Sequence, residues 1–179
     1  MEKTITIEHY KTPLGELILG SYDEKLCLCD WRFRKMRAAI DNRLKSIINA
    51  EFTEGYSPVL EETKHQLSQY FKQERTEFDL PLLLAGSDFQ KSVWEALLRI
   101  PYGKTETYLG LSKILNNEQA IRAVAAANGA NAISIVVPCH RIIGSNGKLV
   151  GYAGGLPVKK KLLELENKDQ GSQLSLFGD

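Results

Sequence analysis

The N-terminal third of the chain contains three short segments in which apolar residues alternate with polar ones or run together. They cover residues 4–10, 16–22 and 26–33 and are separated by the turn-forming stretches KTPLG and DEK. Segments of this kind, divided by tight turns, are typical of antiparallel strands. We therefore predict an antiparallel meander at the N-terminus.

Helical spacing of apolar residues follows the meander. Residues 34–50 repeat them at intervals of three and four, which predicts an amphipathic helix. Ser57 followed by Pro58 is typical of a helix start, with the serine as N-cap. The stretch EFDLPLLL, residues 77–84, contains a proline and predicts a strand at the edge of the sheet.

The chain changes character at residues 85–87, where we place a domain boundary with Ser87 as the cap of the next helix. Two short helices over residues 108–115 and 118–128, joined by two or three residues, predict a helix-turn-helix. Residues 132–137 predict a buried strand that leads to Cys139. A glycine-rich loop follows, and residues 157–166 predict a last amphipathic helix.

Together these elements predict an α+β fold in two domains. Residues 1–84 are expected to form an antiparallel β-sheet with helices, and residues 87–167 a mainly helical domain with the helix-turn-helix. Residues 168–179 are expected to form a flexible tail.

Composition narrows the class of protein. The chain has 179 residues, 43% hydrophobic and 25% charged, which is typical of globular proteins, and its net charge of +1 does not by itself indicate nucleic-acid binding. No stretch approaches the roughly 20 apolar residues of a membrane span, and the N-terminus lacks the apolar region of a signal peptide. Three cysteines without an export signal predict a cytoplasmic protein.

Two of the cysteines are expected to be structural. Cys27 and Cys29 lie two positions apart on a predicted strand, so we expect both side chains to face the same way in the core. Together with His9 and His65 they show no recognisable ligand spacing, and we therefore predict no metal site.

The string VPCHR, residues 137–141, places a thiol, an imidazole and a guanidinium side by side. A cysteine attacks as its thiolate and needs a base or a positive field, for which His140 and Arg141 are candidates. An imidazole base usually needs a third group to fix its tautomer, and Glu164 or Glu166 could provide it. The string alone also fits a buried structural cysteine, or a cysteine hydrolase acting on amides or esters.

The wider sequence resembles the O6-alkylguanine-DNA alkyltransferases. IPYGKTETY, AIRAVAAANGAN, ISIVVPCHRIIGSNGKLVGYAGGL and KKKLLELE match this family in order and spacing, while the N-terminal half is similar only in its TPLGELILG hairpin and its order of sheet and helix. The resemblance implies a ribonuclease-H-like N-terminal domain. It also implies DNA repair by irreversible, stoichiometric transfer of an alkyl group from O6-alkylguanine to the protein itself, with no cofactor.

The resemblance assigns roles to individual residues. It implies that Cys139 accepts the alkyl group, that His140 takes its proton through a water, and that Glu166 orients His140. Tyr108 matches the tyrosine that donates to the guanine ring, and Asn131 matches the asparagine that supports the helix-turn-helix against the site. The other residues expected around the pocket are Tyr152, Ala153, Gly154, Ile142, Ser134 and Val150.

The implied substrate is double-stranded DNA containing O6-alkylguanine, bound by a monomer. A buried thiol cannot reach a stacked base, so the base must be rotated out, at a cost on the order of a few kcal/mol. The family inserts the second helix of its helix-turn-helix into the minor groove, and the arginine that fills the gap matches Arg122. The other expected DNA contacts are Ala120, Ile121, Ala126 and Ser145. Ala132 departs from the family, which often has proline there.

The tail carries the string QLSLF, which begins at Gln173 and ends at Phe177. It resembles the peptide by which bacterial repair and replication proteins hold the sliding clamp, although its apolar residues could instead fold back onto the protein. A different alternative for the whole chain is a sensor that recognises alkylated bases without removing the group. Relatives of that kind lack the acceptor cysteine, which is present here.

Overall fold

The computed structural model describes residues 2–167. The N-terminal half contains a four-stranded sheet in the order β3-β2-β1-β4, formed by β1 (Thr4–Thr12), β2 (Gly15–Tyr22), β3 (Lys25–Trp31) and β4 (Glu51–Glu54). The first three strands pair antiparallel, as predicted, and β4 pairs parallel to β1. Strand β4 has no apolar pattern that would predict it, because among its four residues only Phe52 is even half-buried.

A helix covers each face of this sheet. On one face α1 (Arg37–Ile48) packs Ile40 and Leu44 against Ile5 and Leu28. On the other, α2 (Pro58–Phe71) packs with residues of β2 and β3 into the larger core shared with the C-terminal half. Helix α1 begins later than predicted, at Arg37.

Cys27 and Cys29 do not face the same way, contrary to the prediction. Strand β3 has a register shift opposite Gly20 and Ser21, so that Leu26 pairs with Ser21, Leu28 pairs with Gly20, and Cys27 is the extra residue. A bulge of this kind reverses the alternation of side chains along a strand. Cys27 therefore packs in the core under α1, whereas Cys29 packs in the larger core.

Residues 77–84 run along the outer edge of β3, as expected, but not as a regular strand. They form a single parallel bridge between Leu82 and Leu26, and the backbone bonds are Leu26 N–H to Pro81 O (2.8 Å) and Leu83 N–H to Leu26 O (2.9 Å). Pro81 has no N–H to continue the pairing.

The C-terminal half begins with α3 (Asp88–Leu97), which Ser87 caps. The Ser87 hydroxyl accepts from the backbone N–H of Gln90, whose side chain accepts from the backbone N–H of Ser87. The helix-turn-helix consists of α4 (Tyr108–Ile114) and α5 (Ile121–Gly129). The predicted start of the second helix at residue 118 is instead a 3₁₀ turn, Glu118–Ala120. The remaining strands and α-helix are β5 (Glu106–Thr107), its parallel partner β6 (Ile142–Ile143), and α6 (Leu156–Asn167).

The predicted strand over residues 132–137 is wrong. Only Ile133 bridges to a strand, at Cys29, and the rest of the segment turns, with Ile135 at φ 71°. The Asn131 side chain accepts from the backbone N–H of Ile133 at 2.9 Å, which starts the turn. A fully buried apolar run has no alternation that would distinguish a strand from buried turns.

Two further expectations concern a membrane span and the C-terminal tail. Within residues 2–167 no helix is long and apolar enough to cross a membrane. The tail expected at residues 168–179, including Gln173 and Phe177, lies outside the described residues.

Candidate active site

Cys139 lies at the start of a short 3₁₀ turn, Cys139–Arg141, rather than at the end of a strand. Its backbone N–H donates to Val137 O at 2.8 Å, and that of Arg141 donates to Pro138 O at 3.0 Å. The Cys139 residue is only 4% exposed. Adjacent residues on a strand would point to opposite faces, a constraint that does not apply to Cys139 and His140 because the chain turns here.

His140 contacts the carboxylate of Glu166 in α6. The distance from Nε2 of His140 to Oε1 of Glu166 is 2.7 Å, and both side chains are buried. Glu164, the other candidate, is exposed to solvent. The His140 Nδ1 atom is buried and has no hydrogen-bond partner among the described residues.

The Glu166 carboxylate is held by further donors. Arg141 donates from Nε to Oε2 at 2.9 Å and from Nη2 to Oε1 at 3.0 Å, and the Tyr70 hydroxyl donates to Oε1 at 2.8 Å. Burial alone would raise the pKa of Glu166, but the contacts with His140 and Arg141 outweigh it and hold the pKa well below its usual range. Because an ionised carboxylate only accepts, Nε2 of His140 carries the proton in the neutral imidazole, and Nδ1 then keeps the lone pair that a base needs.

The surroundings of the Cys139 thiol both raise and lower its pKa. Burial raises the pKa of Cys139, and the negative charge of Asp30 raises it further. The side-chain amide of Asn131 and the positive charges of Lys159 and Arg34 lower it. The thiol therefore depends on its neighbours for ionisation.

Asn131 connects the end of the helix-turn-helix to the cysteine turn. Its Nδ2 donates to Val137 O at 2.9 Å and to Ile133 O at 3.3 Å. The side chain is buried and therefore fixes the backbone on both sides.

Residues 144–155 include several of the residues expected around the pocket, and we call this segment the pocket wall. The Tyr108 hydroxyl, from the first residue of α4, donates to Val150 O at 3.1 Å. The Tyr152 ring meets His140 edge to face, with centroids 6.5 Å apart, and its hydroxyl accepts from Nε1 of Trp31 at 3.0 Å. A Cβ atom on Gly154 would lie 2.8 Å from the same indole nitrogen, so this close approach requires glycine.

The other residues expected around the pocket contribute in different ways. The Ser134 hydroxyl is fully buried and donates to Asp30 at 3.0 Å, in the N-terminal half. The backbone carbonyls of Ile142 and Val150 accept hydrogen bonds, while the Val150 side chain is half-exposed. Ala153 is half-buried in the pocket wall.

One face of α5 is open to solvent. Ile121, Arg122 and Ala126 are exposed, Ala120 directly before the helix is half-exposed, and Ser145 is exposed in the pocket wall. The opposite face packs inward through residues such as Ala127, whose carbonyl accepts from Nε1 of Trp94 at 2.8 Å. The helix therefore presents mostly small side chains and one arginine outward.

Four residues of the site have no signal in the sequence. Tyr70, Asp30 and Trp31 come from the N-terminal half, where the sequence held no motif that linked them to Cys139. Lys159 belongs to the run KKK, which reads as a solvated charge cluster. In the structure its ammonium is fully buried and donates to carbonyls beside the site. Among residues 2–167 no group of three or more His, Cys, Asp and Glu side chains is arranged to hold a metal.

Two family models match nearly the whole chain. Residues 5–84 match the "6-O-methylguanine DNA methyltransferase, ribonuclease-like domain", and residues 88–168 match the "6-O-methylguanine DNA methyltransferase, DNA binding domain".

Individual proteins show the same similarity. The methylated-DNA–protein-cysteine methyltransferase of Methanosarcina acetivorans is 43% identical over 157 residues, covering 88% of this chain and 95% of that protein. The constitutive enzyme of that name from Bacillus subtilis is 41% identical over 157 residues, covering 87% and 92%. The crystal structure of Mycobacterium tuberculosis OGT in complex with DNA has a TM-score of 0.78 at 38% identity and covers 98% of this chain and 99% of that one.

Proposed function

Because the chain belongs to the 6-O-methylguanine DNA methyltransferase family, we propose that it repairs DNA by moving the alkyl group of O6-alkylguanine onto Cys139. The observation that carries this proposal is the contact between His140 and an ionised Glu166 beside a buried thiol. That arrangement provides a nucleophile, a base and a group that fixes the tautomer of the base. No cofactor takes part.

The transfer is a single displacement. Nδ1 of His140 takes the thiol proton through a water, and the sulfur attacks the alkyl carbon. The new S–C bond forms as the C–O6 bond breaks, and the electron pair passes to the guanine. Tyr108 donates a hydrogen bond to the ring as negative charge develops, which makes guanine a better leaving group. The thioether is not reversed, so each molecule acts once.

The lesion reaches the thiol by extrusion from the duplex. The exposed face of α5, with Ile121 and Ala126, enters the minor groove, and Arg122 fills the gap left in the stack. Ala120 and Ser145 flank this surface. Binding of DNA by the M. tuberculosis relative supports a DNA substrate.

Stoichiometry tests this function against a cysteine hydrolase. When a fixed amount of protein is titrated with a duplex containing O6-methylguanine, we expect lesion removal to stop at one lesion per molecule. A hydrolase of amides or esters would leave the lesion in place, and so would a sensor, whereas a catalyst that turns over would remove more than one lesion per molecule. Either result would refute the proposal.

We further propose that the protein acts as a monomer in the cytoplasm, consistent with its three free thiols. Residues 1–84 would serve as structural support, and residues 87–167 would hold DNA and perform the transfer.

We also propose that residues 173–177 bind the sliding clamp. Clamp binding would raise the concentration of the protein at DNA. Deletion of residues 173–177 should abolish capture by immobilised clamp and leave alkyl transfer in solution intact. Capture that survives the deletion would refute the clamp proposal.

A further inference from the structure

Lys159 is fully buried, although it stands first in a run of three lysines whose other two members, Lys160 and Lys161, are exposed. Its Nζ donates to three backbone carbonyls, those of Ile142, Val150 (3.1 Å) and Gly151 (3.1 Å). An ammonium group has three N–H donors and no acceptor, so these three carbonyls satisfy it completely.

The three carbonyls belong to two segments that must stay together for the pocket to exist. Ile142 directly follows the cysteine turn, and Val150 and Gly151 belong to the pocket wall. Lys159 itself lies on α6, the helix that also carries Glu166. One buried ammonium therefore joins α6, the cysteine turn and the pocket wall.

Val150 O accepts from Lys159 and also from the Tyr108 hydroxyl. If Tyr108 donates to the guanine during the reaction, it must give up this bond. Lys159 then still donates to Val150 O, so this carbonyl keeps a hydrogen-bond partner when Tyr108 leaves it.

We propose that Lys159 is a positioning residue that locks the pocket wall against the cysteine turn, so that an extruded base meets a pocket of fixed shape. The inference rests on the proposed function, because it concerns how the same pocket holds its base. It goes beyond that function in assigning the shape of the pocket to a side chain that touches neither the alkyl group nor the thiol.

A competing role for Lys159 is electrostatic. Burial lowers the pKa of Lys159 and the nearby Cys139 raises it, and together they bring it to about 8. The positive charge of Lys159 in turn favours the Cys139 thiolate. A role in thiol ionisation would slow every reaction of Cys139, whereas a role in the pocket wall would slow only the reaction that needs a positioned base.

The test compares Lys159→Met, which keeps the length and removes the charge, with Lys161→Met, an exposed control on the same helix. In single-turnover reactions with a duplex containing O6-methylguanine, the rate constant at saturating protein should fall about 10- to 100-fold in Lys159→Met and stay unchanged in the control. Hydrogen exchange of peptides from residues 144–155 should accelerate, with peptides from β1 and β2 unchanged. Carbamidomethylation of Cys139 by iodoacetamide, followed at its peptide, should change less than about threefold, since this reagent needs no positioned base.

Any one of three results would overturn the proposal. The first is a fall in iodoacetamide reactivity that parallels the fall in alkyl transfer, which would make Lys159 an electrostatic partner of the thiol. The second is unchanged hydrogen exchange in residues 144–155, and the third is unchanged alkyl transfer. If wild-type protein transfers no alkyl group, the proposed function fails, while the exchange comparison still decides whether Lys159 holds the wall.

A measurement on the wild-type protein covers the case in which Lys159→Met does not fold. With ¹⁵N-labelled lysine, one ammonium resonance should be protected from exchange with water, because its three hydrogens are bonded inside the protein. A spectrum in which every lysine ammonium exchanges at the rate of an exposed one would refute the proposed positioning role of Lys159.

Discussion

Nε2 of His140 lies 2.7 Å from Oε1 of Glu166, a contact that joins the cysteine turn to the last helix across 26 positions of the chain. Arg141, the next residue, donates hydrogen bonds to the same carboxylate from two nitrogens. His140 and Arg141, the two residues that follow Cys139, therefore both contact Glu166 on α6. The orientation of the His140 base is set by a residue far along the chain.

The first prediction follows from this contact. Glu166→Gln keeps the shape of the side chain but removes the charge that holds the proton on Nε2 of His140. Alkyl transfer from a lesion-containing duplex should slow by about 10²- to 10⁴-fold, the usual contribution of a positioned general base. Glu164→Gln, an exposed change two positions away, should have no effect. Equal rates for wild type and Glu166→Gln in single-turnover measurements would contradict the assignment.

Glu166 also predicts a pH dependence of stability. Its pKa in the folded protein is lower than in the unfolded chain, so its stabilising contribution is present above about pH 5 and is lost as the pH falls below that. The difference in unfolding free energy between wild type and Glu166→Gln should therefore shrink by about 1 kcal/mol between pH 7 and pH 4. Urea unfolding at the two pH values measures it. A difference independent of pH would mean that the carboxylate is not preferentially ionised in the folded state.

Arg122→Ala should separate base extrusion from chemistry. Because extrusion costs on the order of a few kcal/mol, repair of duplex DNA should slow by about tenfold or more. Reaction with free O6-benzylguanine, which needs no extrusion, should stay within about twofold of wild type. Lys25→Ala, an exposed change at the start of β3, serves as the control. Equal losses on duplex and free base would show that Arg122 does not act in extrusion.

Asp30→Asn should weaken the connection between the two halves of the protein. The fully buried Asp30 carboxylate accepts from Arg34, Arg37 and Ser134, and Arg34 also donates to the carbonyls of Gly129 and Asn131. Loss of one charge from a buried ionic network costs about 3–5 kcal/mol, which should appear in urea unfolding. Asp41→Asn, which removes a half-exposed partner of Arg37, should cost about 1 kcal/mol or less. Similar losses in both variants would refute the special role of Asp30.

The parts of the molecule that the sequence predicted best are those with local signals. The Ser87 cap, the paired helices α4 and α5, and the first three strands each depend on residues close together in the chain. The fold class and the family were both correct, because long motifs around Cys139 match in order and spacing.

The features that the sequence did not predict correctly lack such local signals. The apolar run at residues 132–137 looked like a strand, but its geometry is set by the Asn131 side chain and by the contact with β3. The bulge at Cys27 depends on pairing with β2. Nothing in the run of three lysines distinguishes Lys159 from its neighbours, and only the tertiary structure brings three carbonyls around it. Each of these depends on residues distant in sequence.

The central claim is that the sulfur of Cys139 takes an alkyl carbon from guanine. Mass spectrometry of peptides from protein incubated with a duplex containing O6-methylguanine tests this directly. We expect the peptide that contains Cys139 to gain one CH₂ group in proportion to the lesion lost, and protein carrying Cys139→Ala to gain none while leaving the lesion in place. An unmodified Cys139 peptide after disappearance of the lesion would contradict the account.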